Sequence, residues 1–474
     1  MRPRERKPGC GVDACLPDGL DGASRCAECG VTQPCGRLRA GRRVTDGYAG
    51  LVRLPTLIEP DPARVILRPF LSALDPRDLH RSDLLRATRL IDRILAMDAA
   101  AVEAEFATTL RDFGARHADL ATAFAERYTQ IRDLLGLADD PIEARRLLIG
   151  AFFSNEYSFQ STALFNPSIV PHPDQTGLDA DELRFVMSLR ATGEGHISSI
   201  CFCSGAVTGA GEIRLDPPGR FATTPRRSTA ARLADAYDVT FQPGTELGER
   251  VIFPITQQQR NGIEDARLVR FVEDDGRVTY FATYTAYSGR EIAPEMLRTD
   301  DFRRFSFIPL RGDAVSNKGM AMFPRRIGGR YAMLARSDGE TLQLVTSDDL
   351  HVWNDATEIL SAAEPWEFVQ IGNCGSPIEL PEGWLVITHG VGPMRRYCIG
   401  AALLDLNDPS RMIARLRKPL LTAIGGERNG YVPNVVYSCG SLVHAGRLML
   451  PYATSDTATR FAVMPIADLL DAMG

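Results

Sequence analysis

The chain has 474 residues, too many for one ordinary domain and comfortable for two; 44% apolar and 24% charged residues are an ordinary globular composition. A net charge of -6 argues against nucleic acid as a bulk electrostatic partner. No apolar run approaches the ~18 residues of a membrane helix. The opening MRPRERKPGC leads into Gly, Asp and Cys rather than an apolar leader core, so the expectation is a cytoplasmic chain that engages neither membrane nor nucleic acid.

Residues 1–50 lack hydrophobic periodicity and are rich in Gly, Arg and Asp; they read as a disordered or peripheral Cys/Gly-rich tail. Of ten cysteines, Cys10, Cys15, Cys26, Cys29 and Cys35 crowd this tail. Cys26-x-x-Cys29 has zinc-ligand spacing, but there is one such pair and no nearby His, so no metal is assigned. Cys201, Cys203, Cys374, Cys398 and Cys439 are scattered and read as ordinary buried thiols.

Residues 51–154 read as an extended arm followed by a helical module. The arm is VRLPTLIEPDPARVILRPF, with its prolines and short β-branched runs. Ser82-Asp83 has the chemistry to cap a helix running through Leu84, Ile91 and Leu95. Val102, Phe106, Leu110 and Phe113 share one helical face, as do Leu120, Phe124, Tyr128 and Ile131. Asp140-Pro141 opens a fourth helix ending near Gly150. Packing support, or a contact surface for a homo-oligomer, is the role expected of this module.

From residue 155 to 474 short runs of Val, Ile, Tyr and Phe alternate with polar residues and turns, an all-β pattern. It repeats. PSIVPHPDQTGLDADELRFVMSLR starts at Pro167 and DARLVRFVEDDGRVTYFATYTAYSG at Asp265; FPRRIGGRYAMLARSDG, SPIELPEGWLVITHGVG and PNVVYSCGSLVHAGRLMLPYATSD start at Phe323, Ser376 and Pro433. The last three starts lie roughly 53 to 57 residues apart, the spacing of propeller blades; the first interval, near 100, must hold an insertion. The fold class is therefore mainly β, a five-bladed β-propeller preceded by a small α-helical module.

In such a fold the polar strand ends and the loops before each repeat converge on one mouth. Asn261-Gly262-Ile263-Glu264-Asp265-Ala266-Arg267 puts two carboxylates and an Arg beside a Gly. Strand neighbours face opposite sides, so Glu264 and Asp265 are not both expected in one site: one is structural and Arg-paired, the other catalytic. Lys318 opens the third repeat, Arg336 closes its second strand, and His389 closes the matching strand of the fourth. Three cationic residue types at matching positions suit an anion such as phosphate. Asn166, Arg190, Tyr397 and Asp456 stand at other strand ends and suit sugar hydroxyls; Tyr452 and Tyr397 also suit the core.

Taken together, NGIEDARL, NKGMAMFPRRIGGRYAMLARSDG, GSPIELPEGWLVITHGV with YCIGAALLDLNDP, and YATSDT resemble glycoside hydrolase family 130, the β-mannoside phosphorylases and mannosidases, over roughly residues 155–470. LFNPSIVPHPDQTG and SLRATGEGHISSI resemble an extended subgroup with an N-terminal helical module. The resemblance implies an inverting mechanism with Asp265 as general acid, acting through a hydroxyl of the bound mannose. It implies phosphate on Lys318, Arg336 and His389, sugar contacts from Asn166, Arg190, Gln370 and Asp456, and no metal or organic cofactor beyond phosphate as co-substrate. Lys318 stands where the family usually has Arg, which loses bidentate geometry. Gln370 stands where Lys is common, which opens the identity of the donor or acceptor sugar. The expected function is phosphorolysis of β-mannosides to mannose 1-phosphate. The alternatives are an inverting β-mannosidase, with Glu367 or Glu427 as base, and a carbohydrate-binding propeller without turnover.

Overall fold

The structure, a computed structural model, describes residues 44–45, 47–70, 81–140, 142–228 and 236–474. The cysteine-rich stretch through Cys35, with its Cys26-x-x-Cys29 pair, and Pro141 lie outside the described residues.

Four helices precede most of the strands: α1 (Arg81–Leu95), α2 (Ala99–Phe113), α3 (Leu120–Leu135) and α4 (Glu143–Phe152). The Asp98 and Asp119 side chains accept from backbone N–H groups at Ala101 and Thr122, capping α2 and α3. Helix α1 already includes Arg81, so Ser82 and Asp83 fall in its first turn rather than before it. The predicted face of α3, Leu120, Phe124, Tyr128 and Ile131, is buried throughout. With Ile91, Ile94, Val102, Leu148 and Ile149 the α3 pair Tyr128 and Ile131 forms a separate core. A Cβ on Gly150 would stand 2.0 Å from the Phe124 carbonyl oxygen, so only glycine lets α4 cross α3 this closely.

The rest is mainly β, in antiparallel units of which the first two join in one eleven-stranded sheet through a parallel bridge between Ser198 and Gly262, with Val65–Pro69 and Ser154–Ser158 in a two-stranded sheet apart. The first is Ala163–Pro171, Leu183–Thr192, Ser198–Val207 and Ile213–Leu215. The second is Gly262–Val272, Val278–Tyr287, Ile292–Thr299 and Arg304–Pro309. The third is Ala321–Met322, Tyr331–Ala335, Leu342–Ser347 and Ala356–Leu360. In the fourth, Gln370–Asn373 and Ile378–Leu380 both pair with Gly383–Gly392, followed by Arg396–Leu404 and Met412–Arg415. In the fifth, Val436–Tyr437 and Leu442–His444 pair with Arg447–Thr454, followed by Ala458–Pro465.

Strands also form in the tail and the arm, where none was expected. The arm segment Val52–Ile58 pairs antiparallel with Ala458–Pro465, so the N-terminal part of the chain supplies the outer strand of the last unit. Val44–Thr45, assigned to the tail, pairs in turn with Val52 and Arg53. The long first interval holds the expected insertion: Tyr237–Thr240 extends the second unit along Arg304–Pro309, and Val251–Ile252 adds to the first.

Five apolar clusters bind these units in order. Ile200 and Phe202 of the first unit pack with Ile263 and Leu268 of the second. Phe271 and Phe281 meet Met322 and Met333; Phe323 and Leu334 meet Trp384 and Val386; Leu385 and Ile387 meet Leu448 and Leu450. The last cluster returns to the start, with Phe185 and Met187 of the first unit against Met449, Phe461 and Val463 of the fifth.

The innermost strand breaks register at a corresponding place in four units. The breaks lie between Phe165 and Ser168, Glu264 and Arg267, Asn373 and Ile378, and Tyr437 and Leu442. Each extra residue re-aims its neighbours out of the two-fold alternation of a strand. Asn166, Asp265, Asn373 and Tyr437, at or beside these breaks, all belong to the site described below.

Candidate active site

Asp265 sits in the second break with φ 57°, in the left-handed region. This turn overturns the expectation that Glu264 and Asp265 face opposite sides, because strand alternation does not hold through a bulge. Glu264 Oε1 accepts from Arg190 Nη2 at 2.7 Å, and Asp265 Oδ1 accepts from Arg190 Nη1 at 3.2 Å. Glu264 Oε2 also takes Lys318 Nζ at 2.6 Å, so Glu264 is the charge-paired member of the two. Asn166, at the first break with φ 50°, donates from Nδ2 to Asp265 Oδ1 at 2.7 Å. Arg190 is itself steered by Ser198 Oγ, 2.9 Å from Nε, and lies over the Phe165 ring.

Burial alone would push the Asp265 carboxyl up. Arg190, Lys318, the Asn166 hydrogen bond and Arg267 outweigh it, and the group is held below the usual carboxylate range. Asp456 behaves oppositely. Burial lifts it to about 6, Arg190 opposes the rise, and the Asp265 charge adds to it. Two carboxyls that share Arg190 are thus driven apart in acidity.

A second group of basic residues centres on the Asn373 carbonyl. Arg267, buried at 3% exposure, donates from Nη1 to the Asn373 carbonyl at 3.0 Å and from Nη2 to Tyr437 Oη at 2.6 Å. His389, at 2% exposure, has Nδ1 3.3 Å from that same Asn373 carbonyl and Nε2 3.5 Å from Arg336 Nη1. The imidazole lies over Gly372, where a Cβ would stand 2.6 Å from Cε1, so a side chain there would displace the ring. Burial, then Arg336 and Arg267, hold His389 well below its ordinary value. Tyr437 meets the His389 ring edge-on with centroids 4.9 Å apart, and Tyr397 stacks at 6.1 Å. Gln370 Nε2 reaches Tyr397 Oη at 3.5 Å.

The residues singled out in the sequence therefore meet in one connected cluster: Asn166, Arg190, Asp265, Lys318, Arg336, Gln370, His389, Tyr397 and Asp456. Arg267, Asn373 and Tyr437 join it unforeseen. The Arg of GIEDAR was visible, but Asn373 and Tyr437 carry no motif of their own. Three buried polar atoms here lack a protein partner: Asn166 Oδ1, Arg336 Nε and Asn373 Oδ1. Such atoms mark a place where a polar ligand completes the hydrogen bonding. Among the described residues no group of His, Cys, Asp and Glu has the makings of a metal site. The five scattered cysteines are free, with Cys201, Cys374, Cys398 and Cys439 buried; burial pushes the Cys201 and Cys374 thiols up to about 12.

Largely buried carboxyls and guanidiniums that shift one another's acidity mark the class of sites that carry out acid–base chemistry. Residues 230–474 match the family described as β-1,4-mannooligosaccharide phosphorylase, and the chain belongs to that family, glycoside hydrolase family 130. It is 34% identical over 227 residues to a 1,2-β-oligomannan phosphorylase of Thermoanaerobacter sp. (strain X514), covering 47% of this chain and 75% of that one. It is 31% identical over 229 residues to a β-1,2-mannobiose phosphorylase of Listeria innocua, covering 46% and 62%. A β-1,4-mannooligosaccharide phosphorylase of Ruminococcus albus is 30% identical over 220 residues, covering 43% and 63%. Among solved structures, the Listeria innocua β-1,2-mannobiose phosphorylase in complex with β-1,2-mannobiose superposes with TM-score 0.46 at 22% identity, over 66% of this chain and 92% of that one. No described helix is long and apolar enough to cross a membrane.

Proposed function

We propose that the chain is an inverting phosphorylase that cleaves β-mannosides with inorganic phosphate, giving mannose 1-phosphate and a shortened sugar. Asp265 is the general acid. Lys318, Arg336 and His389 hold phosphate. Asn166, Arg190, Gln370, Tyr397 and Asp456 hold sugar. The reading is supported by family membership and by phosphorylase relatives acting on β-1,2 and β-1,4 mannosides.

One observation carries phosphorolysis over hydrolysis. The cluster beside Asp265 is cationic, whereas Glu367 and Glu427, the carboxylates considered as hydrolytic bases, are engaged elsewhere. Glu367, at 1% exposure, accepts from the backbone N–H groups of Ala363 and Glu364 and binds Arg415 Nη2 at 2.5 Å. Glu427 binds Arg53 at 2.5 Å and accepts from Tyr452 Oη at 2.9 Å. An inverting hydrolase needs a carboxylate free to activate water on the far face of the sugar.

The scaffold of this proposal is a five-bladed propeller. Five antiparallel units, five apolar clusters linking each unit to the next and the last to the first, and register breaks gathered at one cluster all support it. The test is incubation with a panel of β-mannobioses with and without phosphate. Mannose 1-phosphate formed only with phosphate is the expected result. Free mannose in either case means hydrolysis, and no product from any β-mannoside means binding without turnover.

A further inference from the structure

The His389 ring has a fixed tautomer. Nδ1 lies 3.3 Å from the Asn373 carbonyl oxygen, which accepts and never donates, so Nδ1 carries a hydrogen. Nε2 lies 3.5 Å from Arg336 Nη1, which donates and never accepts, so Nε2 presents its lone pair. A proton on Nε2 would face donor against donor. Arg267 braces the arrangement by donating to the same Asn373 carbonyl at 3.0 Å. A second acceptor lies close by. Asn373 Nδ2 donates to the Gly375 carbonyl, and Oδ1 is left buried without a partner. A Cβ on Gly319, next to Lys318, would stand 3.9 Å from that Oδ1 and 4.0 Å from Arg267 Nη2.

A pocket for a fully deprotonated anion wants donors only, because a lone pair turned toward an anionic oxygen is repulsive. This pocket mixes cations with acceptors. We propose that His389 serves as a neutral hydrogen-bond acceptor rather than a cation, and that the site takes hydrogenphosphate with its single P–O–H directed at His389 Nε2, where it replaces the long 3.5 Å contact from Arg336 Nη1, which turns to a phosphate oxygen. The inference rests on the phosphorylase reading above and deepens it. With the protonated oxygen held by His389, the oxygens left on Lys318 and Arg336 are unprotonated and nucleophilic. The step balances. The C1–O bond to the leaving sugar breaks as C1–O(P) forms, the acid's proton goes to the leaving oxygen, and the acid remains as carboxylate. The sugar phosphate leaves as a monoanion with its P–O–H proton in place.

Sulfate has the charge and shape of hydrogenphosphate but no proton at neutral pH, so it is the discriminating probe. Calorimetric titration of the full chain with sodium phosphate and with sodium sulfate, at mildly alkaline pH and matched ionic strength, reads the ratio directly. Phosphate is expected to bind on the order of 100-fold or more tightly than sulfate. His389→Leu fills the same space with no acceptor, and the ratio should fall by about tenfold or more. Sulfate binding as tightly as phosphate to the unaltered protein overturns the inference and leaves the phosphorylase reading standing. Binding of neither anion overturns both.

Discussion

Glu264 and Asp265 are neighbours in the chain, yet they hold one guanidinium between them, 2.7 Å and 3.2 Å from Arg190 Nη2 and Nη1. The left-handed turn at Asp265 makes this possible. Glu264 is closed by Lys318 on its second oxygen, whereas Asp265 keeps its contacts with Arg190 and Asn166 on Oδ1 alone. The chain thereby separates a charge-paired carboxylate from one with an oxygen left for chemistry.

Asp265→Asn should lower kcat on the order of a thousandfold while leaving the fold intact, because the amide keeps the shape and cannot donate an acidic proton. Asn also tolerates the left-handed backbone. Asp265→Ala loses the same activity and in addition strains a φ of 57°, at a cost of about 1–2 kcal/mol. Mannose 1-phosphate release and melting temperatures read the two effects separately. A fully active Asp265→Asn protein would sink the acid assignment.

Arg267→Lys tests the buried brace. A lysine keeps the charge but not the two-armed reach to the Asn373 carbonyl and Tyr437 Oη. Leaving these buried groups unpaired should cost about 3 kcal/mol. The same change frees the carbonyl that orients His389, so the KM for phosphate should rise more than the KM for mannoside. Equal effects on both would assign Arg267 to the fold alone.

Much of this site was legible from residue patterns. Charge at matching repeat positions singled out Lys318, Arg336 and His389; the structure sets Arg336 beside His389 and Lys318 on Glu264. Strand alternation failed at Glu264 and Asp265 because a bulge leaves no mark in apolar periodicity. Tyr437 and Asn373 were missed because they look like any strand residues; their role comes from sharing Arg267 once water is gone. The pairing of Val52–Ile58 with Ala458–Pro465 joins segments some 400 residues apart, and no local pattern encodes such a partner.

Asp456 gives the protein a specific dependence of stability on pH. Its folded value, about 6, lies above the ordinary 3.8, so the folded state holds this proton more tightly than the unfolded chain does. The resulting stability is fully present below the unfolded value and is lost as pH rises from about 4 through 6. The loss is at most about 3 kcal/mol. Asp456→Asn cannot ionise, so above pH 6 it should melt higher than the unaltered protein, and the gap should close toward pH 4. Parallel melting curves across that range would refute the assignment. The same variant should weaken mannoside binding, since it exchanges an acceptor of sugar hydroxyls for an amide.

Asp265 meets a difficulty that phosphate itself resolves. A general acid must carry a proton, yet Arg190, Lys318, Asn166 and Arg267 together hold this carboxyl ionised in the free protein. Lys318 is also a proposed phosphate ligand, and Arg267 lies against the same pocket. A dianion bound there offsets the positive charge that lowers Asp265 and adds negative charge beside it, so its pKa must rise on binding. By linkage, phosphate binding then takes up a proton at pH values between the free and bound pKa of Asp265. Calorimetry in buffers of different ionisation enthalpy measures this uptake. The unaltered protein should take up more protons than Asp265→Asn, whose amide cannot titrate, so the difference isolates this one group from the ionisation of phosphate. Equal uptake by the two proteins would mean that Asp265 stays ionised with phosphate in place and that the proton for the leaving sugar comes from another group, of which Asp456, already near 6, is the nearest candidate.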